Sequence, residues 1–380
     1  MSTALVNARV LTGQGWHDDV AVLVEDGRIQ AMVPASHIPA NVEIHDLRGL
    51  ILLPGFIDAQ VNGGGGVLFN DRPDVDGIRA IGAAHRKFGT TGFLPTLISD
   101  SPDKMRSALA AVDAAIADNV PGVLGIHLEG PYLSSARRGV HDARFFHTPD
   151  AAELHMVESL ARGVTLLTAA PECVPPAAIQ ALVENGVIVA AGHTNADYAT
   201  VRGALDAGTR GFTHLFNAMS PLTSRAPGVV GAALDDPASW CGIIVDGHHV
   251  DPASLRIALK AKPRGKVFLV TDAMPAVGAT DPTYVLNGET ITVRNGICQT
   301  ASGTLAGSAL SMIDAVRNSI DMLGVPLDEA ARMAATYPAD FLGLGATHGR
   351  IEVGYRADFT VLDPDLQVVA TWIDGVPSGG

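Results

Sequence analysis

The chain has 380 residues, of which 47% are hydrophobic and 17% are charged, and its 26 basic against 40 acidic side chains give a net charge of −14. This composition excludes a disordered chain, and an acidic surplus without any run of Lys or Arg argues against nucleic acid or an anionic membrane as the main partner. Three widely spaced cysteines predict no disulfide framework and favour the cytoplasm, and no stretch approaches the roughly 20 apolar residues of a membrane helix.

Both ends of the chain have the pattern of short β-strands. Residues 1–50 contain runs rich in β-branched residues, and Asp26-Gly27 between two of them is a strong hairpin signal. Residues 346–380 contain similar runs, separated by turn dipeptides. Because strands need partners and chain termini often lie close together, we expect residues 1–50 and 346–380 to form one small β-sandwich domain.

The middle of the chain alternates apolar runs with helical stretches. This alternation is typical of parallel strands that crossover helices cover on both faces. Eight such units favour a closed (β/α)8 TIM-like barrel over residues 51–345 rather than an open doubly wound sheet, since no G-x-G-x-x-G motif follows a strand. A hairpin excursion and further helices are expected after the eighth run. The runs are residues 51–62, 90–97, 122–130, 164–172, 187–194, 211–219, 240–247 and 266–274.

Polar side chains close most of these runs. The active site of such a barrel lies at the C-terminal ends of the strands, so these side chains are catalytic candidates. A carboxylate and two histidines on three different strands match the ligand set of a catalytic zinc site, which keeps a fourth position open for water. The candidates are Gln60, Asn62, Glu129, His193, His214, Asp246, His248, His249 and Asp272.

Asp272 closes the last run, where a buried carboxylate is costly unless it is paired or used in catalysis. We predict that it takes a proton from water at the metal and returns it to a leaving amine, rather than only capping a turn. Other features have structural alternatives of equal or greater weight. These are interior packing for His127, a solvated surface for the pair Arg137-Arg138, and a turn for Asp246.

Distinctive motifs extend over almost the whole chain. Two of them, LPGFIDAQVNG and GRIEVGYRADFTVLD, lie at the two ends of the predicted barrel. Seven more follow in order, namely HLEGPYL, AGHTNA, THLFNAMSPL, RAPGVVG, IIVDGHHV, LVTDAMPA and SGTLAGSALSM. With the first two the chain resembles the amidohydrolase superfamily. With the other seven it resembles, within that superfamily, the N-acetylglucosamine-6-phosphate deacetylases.

This resemblance implies a metal-dependent hydrolase that converts N-acetyl-D-glucosamine 6-phosphate to D-glucosamine 6-phosphate and acetate. It implies metal ligands at Glu129, His193 and His214 and catalytic roles for Asp272 and His141, the latter at the acetyl carbonyl. It also implies a homodimer. Substrate contacts are implied at Val140, His141, Asn217, Ala218, Arg225, His249, Leu305, Ala306 and Gly307, with Arg225 and His249 suited to the phosphate.

One departure concerns a second metal. Many amidohydrolases have H-x-H after the first strand, whereas this chain has Gln60-Val61-Asn62, and amides are poorer zinc ligands than imidazole. We therefore expect one divalent ion per chain, with zinc favoured and iron, manganese and cobalt as alternatives. The alternative is a second, weakly bound metal ion at Gln60 and Asn62.

Two other functions are weighed against this one. The first is a different amidohydrolase reaction, on a cyclic amide or as a deaminase, although the third run ends in Glu129 rather than in the bridging lysine of many two-metal members. The second is a non-enzymatic barrel, which the intact set of Glu129, His193, His214 and Asp272 disfavours.

Overall fold

The computed structural model describes residues 2–281 and 283–378. The head of the chain forms the strands β1 (Thr3–Val6), β2 (Arg9–Thr12), β3 (Gly15–His17), β4 (Val20–Glu25), β5 (Arg28–Pro34), β6 (Glu43–Asp46) and β7 (Ile51–Pro54). The following strands are β8 (Phe56–Val61), β9 (Gly63–Gly64), β10 (Val67–Leu68), β11 (Thr90–Ile98), β12 (Gly125–Glu129), β13 (Val164–Ala169), β14 (Ile188–Ala191), β15 (Gly211–Phe212), β16 (Trp240–Ile243) and β17 (Val267–Leu269).

Helices alternate with these central strands, and a small sheet and the tail strands complete the chain. The crossover helices are α1 (Val75–Arg86), α2 (Pro102–Ala117), α3 (Ala151–Val157), α4 (Pro176–Glu184), α5 (Tyr198–Asp206), α6 (Gly228–Asp235) and α7 (Pro252–Ala261). After them come β18 (Thr283–Leu286), β19 (Glu289–Arg294), β20 (Ile297–Gln299), β21 (Leu305–Ser308), α8 (Met312–Leu323), α9 (Leu327–Ala334), α10 (Thr336–Phe341), β22 (Phe359–Leu362), β23 (Val368–Ile373) and β24 (Val376–Pro377).

Eight parallel strands form the barrel, in the order β17-β16-β15-β14-β13-β12-β11-β8. Its two edge strands meet where Val61 bridges Ala273, with the Asp272 N–H 3.1 Å from the Gln60 carbonyl and the Asn62 N–H 2.9 Å from the Ala273 carbonyl. The sheet therefore closes on itself beside Asp272. The predicted (β/α)8 barrel is confirmed.

Five of the seven crossover helices named above begin at residues whose side chains cap the helix N-terminus. Asp and Ser side chains there accept hydrogen bonds from backbone N–H groups of the first turn, which would otherwise have no partner. Each cap fixes the residue at which a strand-to-helix loop ends and its helix begins. The capping residues are Asp74, Ser101, Asp150, Asp197 and Asp251.

Strands from the two chain ends form two further sheets. One sheet has the order β5-β4-β1-β6, and the other, β24-β23-β22-β7-β2-β3, combines head and tail strands. The two sheets contribute to one apolar cluster that includes Val22, Leu52, Phe359 and Trp372. The predicted first barrel run divides at Gly55, because β7 pairs with β2 and β22 while β8 enters the barrel. The domain limits of 1–50 with 346–380 and of 51–345 stay a prediction.

The predicted hairpin excursion forms a small sheet in the order β18-β19-β20-β21. Its last strand returns to the barrel at Ser308, whose N–H lies 2.9 Å from the Asp272 carbonyl and whose carbonyl lies 2.9 Å from the Met274 N–H. This return brings the segment from Thr304 to Gly307 to the mouth of the barrel. Among the described residues, no helix has the length and hydropathy needed to cross a membrane.

Candidate active site

Glu129, His193 and His214 converge at the C-terminal end of the barrel. Glu129 is the last residue of β12, and each histidine follows the end of its strand by two residues. His214 Nε2 and His193 Nε2 lie 3.0 and 3.2 Å from Glu129 Oε1 and 3.1 Å from each other. All three side chains are buried. Among the described residues, these three form the one group of at least three possible metal ligands whose ligand atoms all lie within 4.8 Å of one another.

The hydrogen bonds of His193 show which of its ring atoms is free to bind. Its Nδ1 lies 2.9 Å from the Arg137 carbonyl, which can only accept, so Nδ1 carries the proton and Nε2 presents a lone pair. Burial opposes ionisation of Glu129, but the imidazoles of His193 and His214 lower the pKa of its carboxyl well below the ordinary value. An ionised carboxylate and a free imidazole lone pair aimed at one point fit a divalent ion such as zinc.

The backbone is strained at three of the candidate residues. His193, His214 and Asp272 have φ of 47°, 30° and 53°. Left-handed φ is uncommon outside glycine and costs on the order of 1–3 kcal/mol at each position. Each residue lies just beyond a barrel strand, where the turn directs its side chain into the cavity. This clustering of strain is typical of a functional site.

Asp272 is bound by the two amides that replace the usual H-x-H motif. Gln60 Nε2 donates to Asp272 Oδ1 and to Glu129 Oε1 at 3.1 Å each, and Asn62 Nδ2 donates to Asp272 Oδ1 at 2.7 Å. Burial, and then the charge of Glu129, raise the pKa of Asp272 and make it a stronger base. The Gln60 amide thus spans two carboxylates by hydrogen bonds, which favours a single ion at this site.

His141 directs a donor into the same cavity. The Ser99 N–H donates to His141 Nδ1 at 3.3 Å, and Ser99 Oγ lies 2.8 Å from the same atom. Nδ1 is therefore an acceptor, and in the neutral ring Nε2 carries the proton. Burial lowers the pKa of His141 to about 3, which keeps the ring neutral. Its Nε2 lies 3.9 Å from Glu129 Oε2, so the N–H is beside the metal ligands.

A cavity of about 250 Å³ opens above these groups. Most residues predicted from the sequence line it: Asn62, Glu129, Val140, His141, His193, His214, Asn217, Ala218, His249, Asp272, Leu305 and Gly307. Five predicted residues do not line it. Two of them, Asp246 and His248, lie in the turn after β16, beside the lining residue His249. Gln60 lies beneath it, Ala306 is buried behind it, and Arg225 is on an exposed loop. The functional roles assigned to these residues stay predictions.

Sequence reasoning missed two supports of His193. Arg137 supplies the carbonyl for His193 Nδ1, and its guanidinium Nε donates to Asn195 Oδ1 at 2.9 Å. The Glu172 carboxylate accepts from Thr194 Oγ1 at 2.5 Å and from the Asn195 N–H at 2.7 Å. Glu172 closes the fourth apolar run, which was its one signal in the sequence. The role of Arg137 depends on a backbone atom and leaves no such signal.

A chain of buried hydrogen bonds crosses the barrel beneath the metal ligands. The Val61 N–H donates to Thr96 Oγ1 at 2.9 Å, and Thr96 Oγ1 lies 3.2 Å from His127 Nδ1. His127 Nε2 lies 2.7 Å from Thr168 Oγ1, which lies 2.6 Å from Thr213 Oγ1. Burial lowers the pKa of His127 to about 4, so the ring is neutral. His127 therefore links neighbouring strands of the barrel.

The barrel and this site together define a metal-dependent hydrolase. The model of the amidohydrolase family matches residues 51–377, and that of the NagA composite domain matches residues 3–52. The chain belongs to the amidohydrolase family, which implies a divalent metal ion. The predicted family and enzyme class are confirmed.

Three similar proteins extend this comparison. An N-acetylgalactosamine-6-phosphate deacetylase of Shewanella sp. (strain ANA-3) is 43% identical over 97% of this chain and 94% of its own. An N-acetylglucosamine-6-phosphate deacetylase of Haemophilus influenzae is 36% identical over 99% of each chain. The crystal structure of N-acetylglucosamine-6-phosphate deacetylase from Pasteurella multocida matches with a TM-score of 0.96 and 38% identity, covering 100% of both chains.

Proposed function

We propose that the chain hydrolyses the acetamide of N-acetyl-D-glucosamine 6-phosphate and releases D-glucosamine 6-phosphate and acetate. The observation that carries this proposal is that Asp272 lines the same buried cavity as Glu129, His193 and His214. The names of the Haemophilus and Pasteurella relatives, which cover the whole chain, support the choice of substrate.

The roles of the residues follow from their geometry. Glu129, His193 and His214 would hold a divalent ion, which would supply Lewis-acid chemistry by lowering the pKa of water towards about 7 and polarising a carbonyl. Asp272 takes the proton from the attacking water and returns it to the sugar nitrogen, so that acetate and the amine separate. The His141 Nε2–H donates to the acetyl oxygen as negative charge develops on it. We propose zinc as the native ion, because two imidazoles and one carboxylate suit it best.

The phosphate contacts are assigned by position. His249 and the turn at Asn217 and Ala218 line the cavity, and imidazole and backbone N–H groups suit an anion. Arg225 is exposed and separate from this cavity in its own chain. We propose a homodimer, in which an exposed Arg225 is free to meet a partner subunit. The three cysteines are free, which supports the cytoplasm as the proposed location.

A second candidate substrate has a specific observation in its favour. The Shewanella relative, at 43% identity, is named for the 6-phosphate of N-acetylgalactosamine, which differs at a single sugar hydroxyl. The deacetylation chemistry at Asp272 is the same for both sugars. The difference lies only in which residues contact that hydroxyl.

Acetate release from a panel of sugars tests the proposal. We expect the zinc-loaded protein to act on N-acetylglucosamine 6-phosphate with a higher kcat/KM than on its galactose epimer, and on both far better than on unphosphorylated N-acetylglucosamine. A higher value for the galactose epimer would select the second candidate. No acetate from either phosphorylated sugar would refute both.

A further inference from the structure

Asp246 and His249 form a buried pair beside the active-site cavity, which His249 lines. Asp246 Oδ2 lies 2.6 Å from His249 Nδ1, and only 6% and 7% of the two side chains are exposed. The other oxygen, Oδ1, accepts from the N–H groups of His248 and His249 at 2.8 and 2.9 Å. The carboxylate thus fixes both the turn after β16 and the imidazole ring at its end. Asp246 therefore forms the predicted turn, and in addition its carboxylate holds the ring of His249.

The pair determines the protons that His249 carries. A carboxylate can only accept, so Nδ1 of His249 holds a hydrogen and Nε2 is its remaining polar atom. Burial would raise the pKa of Asp246, but its bonds to His249 and to the turn lower it below the ordinary value. Nε2 is therefore the ring atom left to contact a substrate anion, and it binds an anion through an N–H at that atom. With the Asp246 carboxylate at one edge of the ring and an anion at the other, both contacts are charge-assisted hydrogen bonds.

The other residues that line the cavity offer little positive charge to a phosphate. Among the described residues that line the cavity, no Lys or Arg occurs, whereas Glu129 and Asp272 are both acidic. A phosphorylated substrate therefore needs a cationic contact from the other lining groups. His193 and His214 face the metal position and His141 faces the metal ligands, which leaves His249 among the lining histidines.

We propose that Asp246 is a positioning residue that fixes His249 as a donor to the substrate phosphate. This inference rests on the proposed function. Asp246 does not touch the sugar and acts only through the ring it holds. A hydrogen bond to a charged group contributes enough that its loss weakens phosphate recognition by about tenfold or more. Asp246 takes no part in the hydrolysis of the acetamide, which depends on the residues named above.

The test compares Asp246→Asn, His249→Gln, the double variant and a matched control, all loaded with zinc. The control is Asp251→Asn, the same change at the exposed N-cap of α7, where Asn caps as well as Asp. We expect Asp246→Asn to raise KM for the phosphorylated sugar about tenfold with little change in kcat. Its preference for phosphorylated over unphosphorylated sugar should fall by a similar factor. The double variant should be no worse than His249→Gln, because both changes remove one interaction.

Two outcomes would overturn the inference. One is an equal loss on both sugars, which would mean that Asp246 only supports the fold. The other is an additive loss in the double variant, which would mean that Asp246 acts without His249. Binding of glucose 6-phosphate, measured by calorimetry, separates this inference from the proposed function. Wild type that binds glucose 6-phosphate but releases no acetate from N-acetylglucosamine 6-phosphate refutes the function alone. Equal affinity of wild type and Asp246→Asn for glucose 6-phosphate refutes the role of Asp246.

Discussion

Thr168→Val tests whether the buried chain of hydrogen bonds under the metal ligands stabilises the barrel. Valine has nearly the shape of threonine but cannot bond, and Thr168 is 0% exposed. The variant loses the bonds of Thr168 Oγ1 to His127 Nε2 at 2.7 Å and to Thr213 Oγ1 at 2.6 Å. Each bond contributes about 1 kcal/mol net. His127 Nε2, left buried without a partner, adds a desolvation penalty of about 1–3 kcal/mol.

The expected cost is therefore about 3–5 kcal/mol in the free energy of unfolding, measured by urea denaturation at constant zinc. Thr209→Val is the matched control, since Thr209 is also buried, but its Oγ1 has no hydrogen-bond partner among the described residues. Replacing an unpaired hydroxyl with a methyl group should leave stability unchanged or raise it slightly. A loss of stability in Thr168→Val no larger than in Thr209→Val would show that these hydrogen bonds do not stabilise the barrel.

Three further predictions concern the catalytic aspartate, the support of His193 and the pH dependence of stability. Asp272→Asn should lower kcat by about 10²–10⁴-fold in an acetate-release assay, because the amide cannot accept a proton. Arg137→Ala should weaken zinc binding about fivefold in a chelator competition, since the bond to Asn195 no longer fixes the loop whose carbonyl orients His193, whereas Arg138→Ala should not. Burial raises the pKa of Asp58 from 3.8 to about 7. Because the unfolded chain releases that proton first, the free energy of unfolding of the metal-free protein should fall by about 4 kcal/mol from about pH 4 to 7, relative to Asp58→Asn.

Each of these predictions has a result that contradicts it. Near-normal turnover by Asp272→Asn, with zinc content unchanged, would remove the role of that residue as the base. Equal zinc affinities for the Arg137 and Arg138 variants would show that the loop needs no side-chain support. A stability difference between wild type and Asp58→Asn that stays constant over the pH range would mean that Asp58 is ionised throughout, held so by the donors of Thr271 and Gln60.

The barrel and the centre of its site could be predicted because both depend on short-range patterns. Buried parallel strands are apolar throughout, so a polar side chain that closes such a run is conspicuous. Glu129, His193, His214 and Asp272 all have this signal. The run 211–219 also read as one strand, but only Gly211 and Phe212 are extended. The chain turns immediately afterwards, with positive φ at His214, Phe216 and Ala218.

Contacts between distant segments could not be predicted in this way. The Arg137 carbonyl bonds His193 from a loop 56 residues away in sequence, and a carbonyl is present in every residue. The Asp246 side chain was assigned to its own turn because that contact is local, whereas its placement of His249 in the cavity depends on how β16 meets the other strands. The position of Arg225 outside the cavity likewise depends on the path of an exposed loop.

A titration of the metal-free protein with zinc tests the single-ion site most directly. The rate of acetate release from N-acetylglucosamine 6-phosphate is measured after each addition. A single ion at Glu129, His193 and His214 predicts negligible activity without metal. The rate should then rise linearly and become constant at one equivalent per chain, because the Gln60 amide spans the neighbouring carboxylates. Full activity without metal, or a rise that continues to two equally tight equivalents, would contradict it.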